Sequence, residues 1–105
     1  MIYEFRSYQA APGRLKDLDD RFRDLTTKVF DRLGFEQVGF WTASDPDRLV
    51  YLLRWPDRDE RDAKWKQFNS DSEWQQGKAA SEKDGPLLAG AASEIWTPTS
   101  YSAQQ

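Results

Sequence analysis

Glu4, Arg6 and Tyr8 stand at alternate positions in IYEFRSYQ, a segment rich in strand formers and free of glycine and proline. A two-residue period puts all three on one face of a strand. An arginine buried there needs a carboxylate or a set of acceptors, and Glu4 is its nearest carboxylate. Two readings follow. Either Glu4 and Arg6 form an interior ion pair that holds the strand in register, or Arg6 is an anion hook for a carboxylate, phenolate or enolate, with Tyr8 as proton donor. Arg54, on a strand expected to lie beside the first, joins the same group. Two arginines against one glutamate would leave positive charge for an anion. Arg6, Tyr8 and Arg54 are therefore the catalytic candidates.

The second source of chemistry is the rings. Fifteen aromatic residues outnumber the fourteen leucines, isoleucines and valines together. Aromatic side chains build a core from few residues, and their flat faces also wall a ligand pocket. The candidate ligand contacts are Tyr3, Phe5, Trp41, Trp65, Phe68 and Trp74. Trp65 and Trp74 fall on the helix expected to close a cleft. There is no histidine and no cysteine. That excludes serine–histidine triads, imidazole and thiolate metal ligands, and disulfides. Asp45, Asp47, Asp57 and Asp59 lie in a turn and at a helix start, where aspartate serves the backbone rather than a metal. The segment from Gly85 to Gly90 has no phosphate-loop spacing and is expected to be a loop. Any reaction is thus expected to run without a cofactor.

Fifteen basic and eighteen acidic residues give a net charge of −3 over 105 residues. One domain is expected over 1–105, with 98–105 a polar tail. No electrostatic case exists for nucleic acid or an anionic membrane as partner, and no apolar run is long enough to span a bilayer. With no leader pattern at the start, a cytoplasmic location is the expectation.

These residues need elements to hold them. Ile2 to Gln9 is the first strand. Leu15, Leu18, Phe22, Leu25, Val29, Phe30 and Leu33 mark one stripe of a helix over Arg14 to Leu33, with Asp17–Arg21 and Asp24–Lys28 pairs outside. Phe35 to Ala43 and Arg48 to Trp55 form a hairpin across Ser44-Asp45-Pro46-Asp47. A helix opens on Asp57 and Glu60, carries Ala63, Trp65 and Phe68, and breaks near Asn69. A second half, capped by Ser70 and Glu73, runs to Lys83. Ala92 to Thr97 is the last strand. The order β-α-β-β-α-β predicts an α+β, ferredoxin-like split βαβ fold: a four-stranded antiparallel sheet with its helices on one face. The strand RLVYLLRW is apolar on both faces, yet helices can cover only one. A second copy of the chain is the expected cover for the other.

IYEFRSYQAAPGRL, GFEQVGFWTA, VYLLRW, Lys64-Trp65, Asp71-Ser72-Glu73-Trp74 and TPTSYS together resemble the NIPSNAP family, in order, from Ile2 to about Ser102. The resemblance implies membership of the dimeric α+β barrel superfamily, with two sheets packed at a homodimer interface and a cleft in each subunit between sheet and helices. Within that superfamily are cofactor-independent monooxygenases acting on phenols, haem-binding proteins, and lactonising or cyclising enzymes, so the fold selects no chemistry. Lacking histidine, this chain departs from the haem-binding branch. Gly77 and Lys78 stand where the family pattern has apolar residues, which implies a wider cleft entrance. The functional expectation is a small homodimer with an aromatic-lined pocket for a hydrophobic or phenolic molecule, in the cleft or in the barrel interior. It would act as a cofactor-independent monooxygenase, cyclase or isomerase, or as a non-catalytic binding or assembly protein.

Overall fold

The computed structural model describes residues 1–105. Its elements run β1 (Ile2–Ala10), α1 (Leu15–Arg21), a π-helical turn (Phe22–Thr26), α2 (Thr27–Leu33), β2 (Glu36–Ala43), β3 (Arg48–Trp55), α3 (Arg58–Ser70), α4 (Ser72–Ser81) and β4 (Leu88–Trp96). The sheet order is β2-β3-β1-β4, antiparallel throughout. This is the ferredoxin-like arrangement expected from the order of elements. No helix is long and apolar enough to cross a membrane.

The alternation in β3 decides which side of the sheet is covered. Leu49, Tyr51, Leu53 and Trp55 are buried beneath the helices, while Val50, Leu52 and Arg54 on the opposite face are only partly so. Leu18, Phe22, Val29 and Phe30 come down onto the covered face from the first helical run, and Phe68 from α3. Gly34, in the left-handed region at φ 82°, ends α2 because a side chain there would meet the following carbonyl. Asp57 accepts a hydrogen bond from the Glu60 amide and starts α3.

Several expectations are corrected. The first helical run contains a π turn, so one extra residue enters its cleft-facing side. Arg21 does not pair with Asp17 on the outside. Asp17 pairs with Arg14 at 2.8 Å, and Arg21 is buried. Lying three residues beyond Leu18, it shares the apolar stripe. The cap of α4 is Asp71, accepting from the Trp74 amide at 3.0 Å, rather than Ser70. Ala63 is exposed; the inward stripe of α3 is instead half-buried Arg61 and Trp65 with buried Phe68. β4 begins at Leu88, so Leu88 to Gly90 are strand rather than loop. Pairing with Tyr8, Gln9 and Ala10 overrides the weak strand propensity of glycine and alanine there. The polar tail folds back over the open face of the sheet. There the Gln105 carbonyl accepts from the Tyr3 hydroxyl at 3.2 Å and from Arg54 Nη2 at 3.0 Å.

Candidate functional site

A cleft of about 370 Å³ opens between the covered face of the sheet and the helices. Arg6, Tyr8 and Tyr51 lie on its floor with Leu88 and Ala91 of β4. Arg21, Phe22, Thr26 and Phe30 form one wall, and Arg61, Trp65 and Phe68 the other, while Trp74 and Lys78 of α4 stand at its end. The π turn matters here: it turns Arg21, Phe22 and Thr26 together toward the cleft, where a regular helix would splay them. Gly77 lets α4 approach closely, since a Cβ at that position would collide with the Leu25 methyls.

The sequence candidates divide between the two faces of the sheet. Arg6, Tyr8, Trp65, Phe68 and Trp74 line the one cleft. Tyr3, Phe5, Trp41 and Arg54 do not, because the register places them on the opposite face. Arg54 therefore cannot act with Arg6. It pairs with Glu36 at 3.1 Å and sits over the Tyr3 ring. Tyr3 is buried under the tail, Phe5 stacks on Trp96 at 5.0 Å, and Trp41 is 54% exposed.

Beneath the cleft lies a fully buried carboxylate. Glu4 Oε1 accepts from the indole N–H groups of Trp55 at 3.0 Å and Trp65 at 2.9 Å. Its Oε2 accepts from Arg6 at 2.7 Å and Arg61 at 2.9 Å. Burial alone would raise the Glu4 pKa, but the hydrogen bonds from Arg61, Trp65 and Arg6 outweigh it and hold the group below its ordinary value. With all four donors converging on it, Glu4 is a structural anion and not a base.

Above it, on the cleft floor beside Arg6, lies Tyr8. Its oxygen accepts from Arg6 Nε at 2.9 Å and lies 2.9 Å from the Tyr51 hydroxyl. Burial pushes the Tyr51 pKa well up, so Tyr51 stays a neutral phenol. Tyr8 is the side-chain partner of that buried hydroxyl, and either phenol can donate in the pair. Where Tyr51 donates in that pair, the Tyr8 proton is free to face the cleft. Burial works against the charge of Arg6, but its hydrogen bonds to Tyr8 and Glu4 help keep its pKa above the usual arginine value. The arginine also stacks on Trp65, 4.3 Å from the ring centroid. No group of three or more acidic side chains is placed to hold a metal ion.

Sequence reasoning missed Arg21 and Arg61. The signal for both was helical spacing: Arg61, Trp65 and Phe68 fall on one stripe, as do Leu18 and Arg21.

Comparison with known proteins adds the family and the fold. The NIPSNAP family model matches residues 3–103. A NIPSNAP family protein from Agrobacterium tumefaciens is 16% identical, with 99% of this chain and 98% of that one covered at a TM-score of 0.86. An uncharacterized NIPSNAP domain protein from Burkholderia xenovorans is 19% identical, with 97% and 98% covered at 0.83. A putative antibiotic biosynthesis monooxygenase from Nitrosomonas europaea is 12% identical, with 93% and 98% covered at 0.65. At these identities the likeness to solved structures concerns the fold. No curated protein matches the sequence.

Proposed function

Because this chain belongs to the NIPSNAP family, we propose from its cleft that it is a homodimeric protein binding a hydrophobic or phenolic small molecule between sheet and helices. The observation that supports this reading is the cleft of about 370 Å³, walled by Phe22, Phe30, Trp65, Phe68 and Trp74 over a polar floor of Arg6 and Tyr8. Small-molecule sites pair such apolar walls with a few convergent polar groups. Titration with 2-naphthol, followed by tryptophan fluorescence, tests it. Saturable quenching is expected, and Trp74→Ala should weaken binding about 2- to 12-fold, the range for losing one aromatic contact. Unquenched fluorescence, or equal affinity in the variant, would count against the cleft as the site.

A second reading, cofactor-independent catalysis on a phenol, draws support from the Tyr8 hydroxyl and its two hydrogen-bond partners. With its proton lost to water and the Tyr8 hydroxyl hydrogen-bonded to the phenolate, the phenol would bond O2 at a ring carbon bearing hydrogen. The resulting hydroperoxide would lose water to leave a quinone, and oxygen uptake is the assay. Tyr8→Phe should slow uptake at least a hundredfold, within the range for removing a positioned acid, while leaving 2-naphthol affinity within a few-fold. A variant that changes only affinity would leave the non-catalytic reading standing.

The homodimer rests on the open face of the sheet, where Phe5, Val50 and Leu52 lie among Val38 (45% exposed), Trp41 (54%) and Trp96 (45%). That much contiguous apolar surface favours a self-complementary partner. Sedimentation at micromolar concentration should give twice 12.2 kDa. Leu52→Arg should weaken association about a hundredfold or more, since it buries an unpaired charge twice in a two-fold interface. A single 12.2 kDa species for the unaltered chain would refute the dimer.

A further inference from the structure

We propose that the cleft selects an aromatic carboxylate, with Arg21 as the residue that recognises the anion. This rests on the cleft being a ligand site, and adds the charge of its occupant. Four cations border the cleft: Arg6, Arg21, Arg61 and Lys78. Three have committed carboxylates. Arg6 and Arg61 share Glu4, at 2.7 and 2.9 Å, and Arg61 also reaches Asp62 at 2.9 Å. Lys78 holds Glu82 at 3.3 Å.

Arg21 is the exception. Its side chain is 4% exposed, yet the nearest carboxylate is that same Glu82, at 4.0 Å. Its one hydrogen bond is a 3.3 Å contact from Nη1 to the Ser81 hydroxyl. Its Nε is buried without a partner. The Arg61 Nε is equally bare, but both Nη groups of Arg61 hold carboxylates. Burial of a guanidinium without a full counter-charge is costly, and its effect is visible: burial pulls the Arg21 pKa below the usual arginine value against the opposing field of Glu82. A ligand anion would relieve that cost. Arginine presents paired donors suited to a planar carboxylate. The surroundings define the body that carries it. Trp74 lies 5.4 Å from the Arg21 guanidinium, and the rings of Phe22, Phe30 and Phe68 complete an apolar slot. At about 370 Å³ the cleft is near the lower end of ligand pockets, which run to roughly 300–1,000 Å³, so a one- or two-ring acid is favoured.

The experiment compares 2-naphthoate with its neutral counterpart 2-naphthalenemethanol by calorimetric titration. The unaltered protein should bind the carboxylate at least tenfold tighter. Arg21→Met, which replaces the buried charge by an apolar chain of similar length, should abolish that preference, bringing the affinities for the two molecules within twofold of each other. Arg21→Gln, which keeps hydrogen-bonding groups without the charge, should do the same. Equal affinity of the unaltered protein for the two molecules would overturn the proposal and leave the cleft reading intact. A carboxylate preference that survives in either variant would also overturn it. Failure to bind either molecule would overturn both the proposal and the reading beneath it.

Discussion

Glu4→Ala should destabilise the protein by about 3–5 kcal/mol, the cost of removing one side of a buried ion pair. That is a large part of the roughly 5–15 kcal/mol that holds a small domain together. The reason is the number of groups that would be orphaned: two buried indole N–H donors and the guanidinium groups of Arg6 and Arg61 all end on this carboxylate. Glu4→Gln should not be benign either. Both carboxylate oxygens face donors, so an amide NH₂ must oppose either the indoles or the guanidinium groups, at a cost of about 1.5–3 kcal/mol. Urea denaturation followed by tryptophan fluorescence measures both variants.

The pH dependence gives an independent check on the same residue. The folded pKa of Glu4 lies below its ordinary value of 4.5. The folded state therefore binds this proton less readily than the unfolded chain does. Its contribution is fully present above about pH 4.5 and is lost as pH falls through the lowered folded value. Asp20 and Asp71 are also shifted down by their arginine and lysine partners. Only the difference between the unaltered protein and Glu4→Gln isolates the buried carboxylate. The gap between their stabilities should be widest above pH 5 and should shrink toward pH 3. A gap that is constant across that range would mean that Glu4 titrates alike in the folded and unfolded chain, so that its partners do not hold its pKa down.

How legible this site was in the sequence varied by residue. The two-residue period placed Glu4, Arg6 and Tyr8 together, and the structure keeps them together. It could not say which face the helices cover, because β3 is apolar on both. Spacing alone therefore groups Arg54 with Arg6 and leaves Tyr3, Phe5 and Trp41 unseparated from Trp65 and Trp74. The ends of elements were blurred where tertiary pairing decides: β4 extends through Ala89, Gly90 and Ala91 only because β1 supplies a partner strand. Arg21 was hidden by a local argument. An arginine four residues after an aspartate suggests a solvent-exposed pair, worth a few tenths of a kcal/mol, and burial in a stripe with Leu18 and Phe22 outweighs that. The convergence of Trp65 and Arg61 on Glu4 depends on the rotation of α3 about its axis. Composition and spacing do not determine that rotation.

Phe30→Ala should cost about 3–5 kcal/mol, as expected for a fully buried phenylalanine, and part of that loss should be recoverable by ligand. Phe30 has no exposed surface and stacks on Phe35 at 4.5 Å, with Phe68 at 5.1 Å and Trp65 at 5.8 Å. It also borders the cleft. The space left by its ring would open onto the cleft and enlarge it, and a flat apolar molecule such as indole could enter. Phe35 offers the matched control. It belongs to the same ring cluster and is nearly as buried, but it does not line the cleft, so Phe35→Ala should leave a closed void. Both variants should fall by similar amounts in denaturation. At indole concentrations ten times its Kd, Phe30→Ala should regain about 1.4 kcal/mol by mass action, whereas Phe35→Ala should regain far less. Equal recovery in the two variants would mean that Phe30 does not separate the core from the cleft, and the wall assigned to it would have to be redrawn.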